Sequence, residues 1–193
     1  MARPAPFAVL AALLLLLVGC EKRSDVQPLP TDFPLLQFHL LDGSGKRWDA
    51  SDLAGEVVLL TFGFTRCTGT CPTVLRHLRE TLESMPEEQQ DQVRVVFVGV
   101  DYRHDRPDQV ASFASVHGPR FLGLTGPPDN LNELYRRLGA SARHVVDENG
   151  VAWVNHTTGV YLVDSRSKPR YLAQANADRQ SIAAALRQLV TEV

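Results

Sequence analysis

The sequence predicts an α/β sandwich: a mixed central sheet flanked by helices, with a hairpin at its N-terminal end. Three observations carry this. Residues 57–64 and 93–100 are apolar at nearly every position and rich in β-branched and aromatic types, as strands buried on both faces are. Each run is followed within a few residues by a proline, Pro72 and Pro107, that opens a helical stretch. Later strands are short and closely spaced, which gives the second half of the sheet an antiparallel character.

Taken in order, residues 38–48 read as a hairpin around Gly43-Ser44-Gly45. Residues 57–64 form the first buried strand. From Pro72, Val74, Leu75, Leu78 and Leu82 recur at helical spacing, with Arg76, His77, Arg79 and Glu80 on the polar side. Residues 93–100 form the second buried strand, and Pro107 opens a helix reaching about His117. Residues 121–124 are a short strand. Asp129 or Asn130 is expected to cap a helix carrying Leu131, Leu134, Tyr135 and Leu138, which Gly139 ends. Residues 151–154 and 160–163 are strands around Asn155-His156-Thr157, and residues 171–173 are expected as an edge strand. The last helix, about residues 178–189, buries Ile182, Ala185, Leu186 and Leu189.

The length of 193 residues suits one domain behind a tail. With 20 Lys+Arg against 22 Asp+Glu and no basic cluster, nucleic-acid binding is excluded as a main role. A hydrophobic fraction of 44% excludes general disorder. Three cysteines cannot all pair, and they are too few to staple a fold.

The tail explains one of them. Arg3 is the only charge before Glu21, and residues 7–18 are a continuous apolar run. That run is too short to span a bilayer, which takes about 20 residues, and reads as a secretory signal. It ends in Leu17-Val18-Gly19-Cys20, which resembles the lipobox of bacterial lipoproteins. The resemblance implies a signal peptide over residues 1–20 and a lipid anchor on Cys20. The domain then sits on the periplasmic, outer side of a cell membrane, held by the anchor without spanning it. Residues 21–34 are polar, contain three prolines and read as a tether; residues 35–193 form the domain.

The other two cysteines stand in Cys67-Thr68-Gly69-Thr70-Cys71, at the turn from the first buried strand into the first helix. Pro72 makes Cys71 the expected N-cap and leaves Cys67 in the loop. Unpaired backbone N–H groups and the helix dipole favour negative charge there, hence thiolates. Arg66 adds to this. Two converging thiolates suit copper(I), which prefers soft sulfur ligands. A strand feeding directly into a cysteine-bearing helix start is the thioredoxin-like arrangement. Fold alone does not assign a function.

Residues 55–73, running from Gly55 through Cys67 and Cys71 to Thr73, resemble the Sco (SenC) family of copper-binding, thioredoxin-like proteins. Val98-Gly99-Val100-Asp101 with Asp105 is similar to that family's acidic segment, and residues 154–164 to its segment carrying a ligand histidine. The resemblance covers about residue 33 to the C-terminus. It implies copper, as Cu(I) or Cu(II), on Cys67, Cys71 and His156, with Asp101 an acid near the site. It also implies a redox-active Cys67–Cys71 pair. The implied partner is the copper-centre subunit of cytochrome c oxidase or another copper chaperone. The implied role is delivery of copper to the oxidase's dinuclear copper centre, reduction of that centre's cysteines, or both. Thr68 and Tyr102 depart from the usual pattern, where proline is common, and neither removes a ligand.

A metal-free thiol–disulfide oxidoreductase is the alternative. Three residues separate the cysteines here, where thioredoxins usually have two, and residues 154–157 contain no proline to face a substrate disulfide. A peroxidase of the peroxiredoxin type needs a proline ahead of its cysteine that this loop lacks. Of the remaining histidines, His77 and His104 read as solvated surface residues, and His144, beside Arg143, is no more than a minor candidate for a spare ligand.

Overall fold

The computed structural model describes residues 25–146, 148, 150 and 152–192. The apolar run 7–18 and Cys20 lie outside these residues, so the signal peptide and anchor do too. In chain order the strands are β1 (Val26–Pro28), β2 (His39–Leu41), β3 (Arg47–Asp49), β4 (Val57–Gly63) and β5 (Val93–Gly99). They continue with β6 (Phe121–Leu124), β7 (Ala142–Val146), β8 (Ala152–His156), β9 (Val160–Val163) and β10 (Pro169–Ala173). The helices are α1 (Thr70–Glu83), a short α2 (Glu87–Gln90), α3 (Pro107–Ser115), α4 (Pro128–Leu138) and α5 (Arg179–Thr191).

Six strands form one mixed sheet in the order β1-β10-β9-β4-β5-β6. β4, buried along its whole length, pairs parallel with β5, and β5 parallel with β6. β9, β10 and β1 follow antiparallel on the other side. Side-chain alternation sorts the two central strands between two cores. Val57, Leu59, Val95 and Phe97 face Leu75 and Leu78 of α1, Val110 of α3, and Ile182 and Leu186 of α5. Val58, Leu60, Phe62, Val96 and Val98 face Leu131, Leu134 and Leu138 of α4, Leu40 of β2 and Phe38 just before it. Each fully buried leucine contributes about 1.5–3 kcal/mol by leaving water. The sandwich and the hairpin are those the sequence predicts.

Several elements differ from expectation. β10 is not an edge, because β1 covers it, with Val26 opposite Ala173 and Pro28 opposite Tyr171. Three residues in the middle of the segment read as a tether are thus part of the sheet. β7 was not expected; it pairs with β8 in a separate two-stranded ribbon, which sets Ala142 opposite His156. α4 starts at Pro128 with Pro127 as its N-cap, rather than at Asp129 or Asn130. Proline fixes the entry dihedral without needing an N–H acceptor. Asn130 is used elsewhere, donating from Nδ2 to the His39 carbonyl at 2.7 Å. Gly139 ends the helix in the left-handed conformation, φ 63°, as predicted.

α3 lies directly on the backbone of β6 at Gly123. A methyl group there would run into the Val110 carbonyl and stand 2.7 Å from the Ala111 Cα. Gly123→Ala must therefore push α3 outward. It is expected to cost about 1–3 kcal/mol, the range for overpacking, seen as a lower urea midpoint at unchanged slope.

Candidate metal centre

β4 ends at Gly63 and hands the chain to the loop 64–69, from which α1 rises. Gly69 is the N-cap, so Cys71 lies inside the first turn and not at the cap as expected. Pro72 takes the third helical position, where a missing N–H costs no intrahelical bond. A side chain at Gly63 would stand 2.5 Å from the Phe97 ring and 3.0 Å from Cys71 Sγ, so the bare strand end makes room for the sulfur.

The two cysteines are free thiols in different environments. Cys67 is half-buried, and its Sγ accepts the Cys71 N–H at 3.3 Å. Burial pushes the Cys67 thiol up, but hydrogen bonds from the Cys71 thiol and from the amides of Cys71, Gly69 and Thr70 outweigh it. The net effect is a pKa below the ordinary thiol value. Cys71 is 4% exposed. Burial, then its bond to the Cys67 sulfur, push it up to about 12. The first proton therefore leaves Cys67, and Cys71 keeps its own.

His156 ends β8 and is partly buried. Its Nδ1 lies 2.8 Å from the Thr157 carbonyl oxygen. A carbonyl only accepts, so Nδ1 carries the proton. Burial holds the ring's pKa below the ordinary histidine value, against a smaller opposing effect of that bond. The ring is thus a neutral imidazole whose Nε2 lone pair is available to a metal. Phe64 stands edge-on to it, ring centroids 5.9 Å apart, and packs against the core that contains Cys71, as Cys67 does. His156 also opens onto a groove of about 670 Å³ whose lining includes Gln27, Leu172 and Asn176. Among the described residues, no three His, Cys, Asp or Glu side chains stand close enough together to hold one metal ion. The structure brings Cys67 and Cys71 together and leaves His156 beside Phe64, not yet gathered with them.

Asp101 is 0% exposed. It accepts from Arg66 Nη2 at 2.7 Å, His104 Nδ1 at 2.9 Å and His144 Nε2 at 2.9 Å. Burial raises its pKa, but these three donors lower it further, to about 2. Asp101 is thus tied to Arg66, the residue before Cys67. Because its folded pKa lies below the ordinary 3.8, its contribution is complete above that value and is lost as pH falls through about 2. A loss of about 2 kcal/mol is expected between pH 5 and pH 2 in urea unfolding, and Asp101→Asn is expected to flatten that limb.

The family model for SCO1/SenC matches residues 31–191. The chain belongs to the SCO1/SenC family. A Stutzerimonas stutzeri protein named for copper binding is 30% identical over 141 residues, 73% of this chain and 69% of that one. Further relatives in Rickettsia, Danio rerio, Arabidopsis thaliana and Schizosaccharomyces pombe are longer, and the chain spans only 38–65% of each. The solved structure of Bradyrhizobium japonicum ScoI with copper bound superposes with TM-score 0.70 at 28% identity, covering 79% of this chain and 97% of that one. The apo Sco1 of Thermus thermophilus gives TM-score 0.77 at 29% identity, covering 89% and 99%.

Within this Sco domain three histidines have partners that the sequence does not show. His104 is exposed, as read, and its Nδ1 also donates to Asp101; His144 faces the same carboxylate. The ring of Tyr102 stands edge-on to His144, centroids 4.6 Å apart. His77 Nε2 lies 2.7 Å from the Ala177 carbonyl, tying α1 to the start of α5. Sequence reasoning also missed what Asp105 holds: the Thr65 N–H and hydroxyl, two residues before Cys67. Its spacing from Asp101 after a buried strand was the visible signal. Among the described residues, no helix is long and apolar enough to cross a membrane.

Proposed function

We propose that this Sco protein binds copper through Cys67, Cys71 and His156. We further propose that it acts, anchored by lipid on Cys20 at the periplasmic side of the cell membrane, in building the dinuclear copper centre of cytochrome c oxidase. The observation that carries this is the donor set: two sulfurs held at one helix start and an imidazole whose Nε2 is left free. Two sulfurs suit Cu(I), and an added imidazole nitrogen lets the same residues hold Cu(II). The copper is cargo, and it is the relatives that support it: the Bradyrhizobium protein has a copper-bound structure. Membrane anchoring rests on the lipobox alone.

The unequal cysteines support a second activity at the same residues. The Cys67 thiolate can attack a sulfur of a partner disulfide, forming a mixed disulfide and releasing one partner thiolate. Cys71, once its proton has passed to that leaving thiolate, attacks the Cys67 sulfur and releases the second thiolate. The pair ends oxidised and the partner reduced by two electrons. This chemistry could prepare the oxidase's cysteines for metal.

The test is direct. The chain from residue 21, reduced and offered copper, is expected to retain one equivalent by elemental analysis. If it retains none yet reduces a generic protein disulfide catalytically, the metal-free oxidoreductase reading replaces this one.

A further inference from the structure

Two carboxylates from one short turn grip the loop that carries Cys67. The carbonyl of Asp101 accepts the N–H groups of His104 and Asp105, at 2.9 and 2.8 Å, and so folds residues 101–105 back on themselves. From that turn the Asp101 carboxylate reaches Arg66. The Asp105 carboxylate reaches Thr65 twice: Oδ1 accepts the hydroxyl at 2.6 Å, and Oδ2 accepts the backbone N–H at 3.1 Å. Asp105 is 6% exposed. A buried carboxylate is costly unless it is hydrogen-bonded, so it holds its partners firmly. Two residues before Thr65, Gly63 is fixed by its carbonyl, which accepts the Val100 N–H at 2.8 Å. Cys67 itself closes a turn, its N–H donating to the Phe64 carbonyl at 3.1 Å. With Gly63, Thr65 and Arg66 each pinned from β5 or the turn after it, the Cys67 sulfur has little choice but to face the amides of α1.

We infer that Asp105 is a positioning residue for Cys67: through Thr65 it sets the loop that aims the sulfur at the start of α1. The turn is not a second metal site, since the Asp101 carboxylate is already spent on Arg66 and two histidines. The inference needs the copper reading only for the second of its two readouts.

The first readout uses the chain from residue 21, reduced and metal-free, with alkylation of Cys67 by iodoacetamide followed by peptide mass. Asp105→Ala is expected to slow it about three- to tenfold, the weight of one net hydrogen bond lost at the sulfur, with helix content unchanged. Asp105→Asn keeps one acceptor oxygen for Thr65 and is expected to recover most of the rate. Asp108→Asn, on an exposed carboxylate paired with Arg106, is expected to change nothing. The second readout is the Cu(II)–thiolate absorption of the copper-loaded protein, expected to shift in Asp105→Ala. If Asp105→Ala fails to fold, Thr65→Val decides, since it removes the 2.6 Å bond and keeps the backbone contact. An unchanged alkylation rate in folded Asp105→Ala, or in Thr65→Val, overturns the inference. If alkylation slows while even the parent binds no copper, the positioning role stands and the copper reading falls.

Discussion

Cys67→Ser and Cys71→Ser are each expected to abolish copper retention by the reduced protein, and His156→Ala to abolish the Cu(II) form while leaving Cu(I) more weakly held. The difference follows from the donors. Cu(I) is satisfied by two soft sulfurs, so the loss of either leaves a single thiolate. Cu(II) needs the harder imidazole nitrogen that His156 supplies. Loss of a residue that merely supports a ligand weakens metal sites about 10–100-fold, so loss of a ligand itself should exceed about 100-fold. Equilibrium dialysis and the Cu(II)–thiolate absorption band give the measurement. A His156→Ala protein with the parent's Cu(II) stoichiometry, affinity and spectrum would sink the three-ligand assignment. Uptake is also expected to strengthen as pH rises, because metal must displace the proton that Cys71 holds with a pKa of about 12.

The second large effect is selectivity between the two sulfurs. Iodoacetamide at pH 8 is expected to modify Cys67 and spare Cys71 by more than about 100-fold, the reactive species being the thiolate. Cys71, at about 12, has only about one thiolate in ten thousand at that pH. Cys67 lies below the ordinary thiol value and is more exposed, so both factors run the same way. Peptide mapping after brief labelling reads the ratio. Equal labelling of the two would remove the physical basis for assigning Cys67 the attack and Cys71 the resolution of a mixed disulfide.

Much of this architecture was legible because its signals are local. The nearly unbroken apolar runs of β4 and β5 read as buried strands, and Pro107 and Gly139 mark helix ends by backbone chemistry alone. The cysteine pair was visible from its place between strand and helix. His156 was not; nothing around one histidine in a short strand distinguishes it, and only the resemblance to a family singled it out. What failed was long-range. Three residues ending in a proline, Val26-Gln27-Pro28, carry no strand pattern, and only the open edge of β10 makes them one. Ala142–Val146 alternates poorly and becomes a strand through β8. The partners of His77, His104 and His144 are backbone and carboxylate groups brought near by folding. Thr65 and Asp105, 40 positions apart, meet for the same reason.

β1 also sets a leash. With Val26 paired to Ala173, free chain can begin no later than residue 25, where the tether as first read ran to residue 34. If Cys20 carries the lipid, as proposed, five residue steps separate it from Asp25, whose carbonyl accepts the Gln174 N–H just before β1. They reach at most about 18 Å, against about 50 Å for the fourteen steps to Pro34. Gln27 and His156 line one groove, so β1 lies on the side where the imidazole opens. Under that proposal, a domain moored so tightly would have little depth to explore, and its encounters would become a search in two dimensions among targets held in the same membrane.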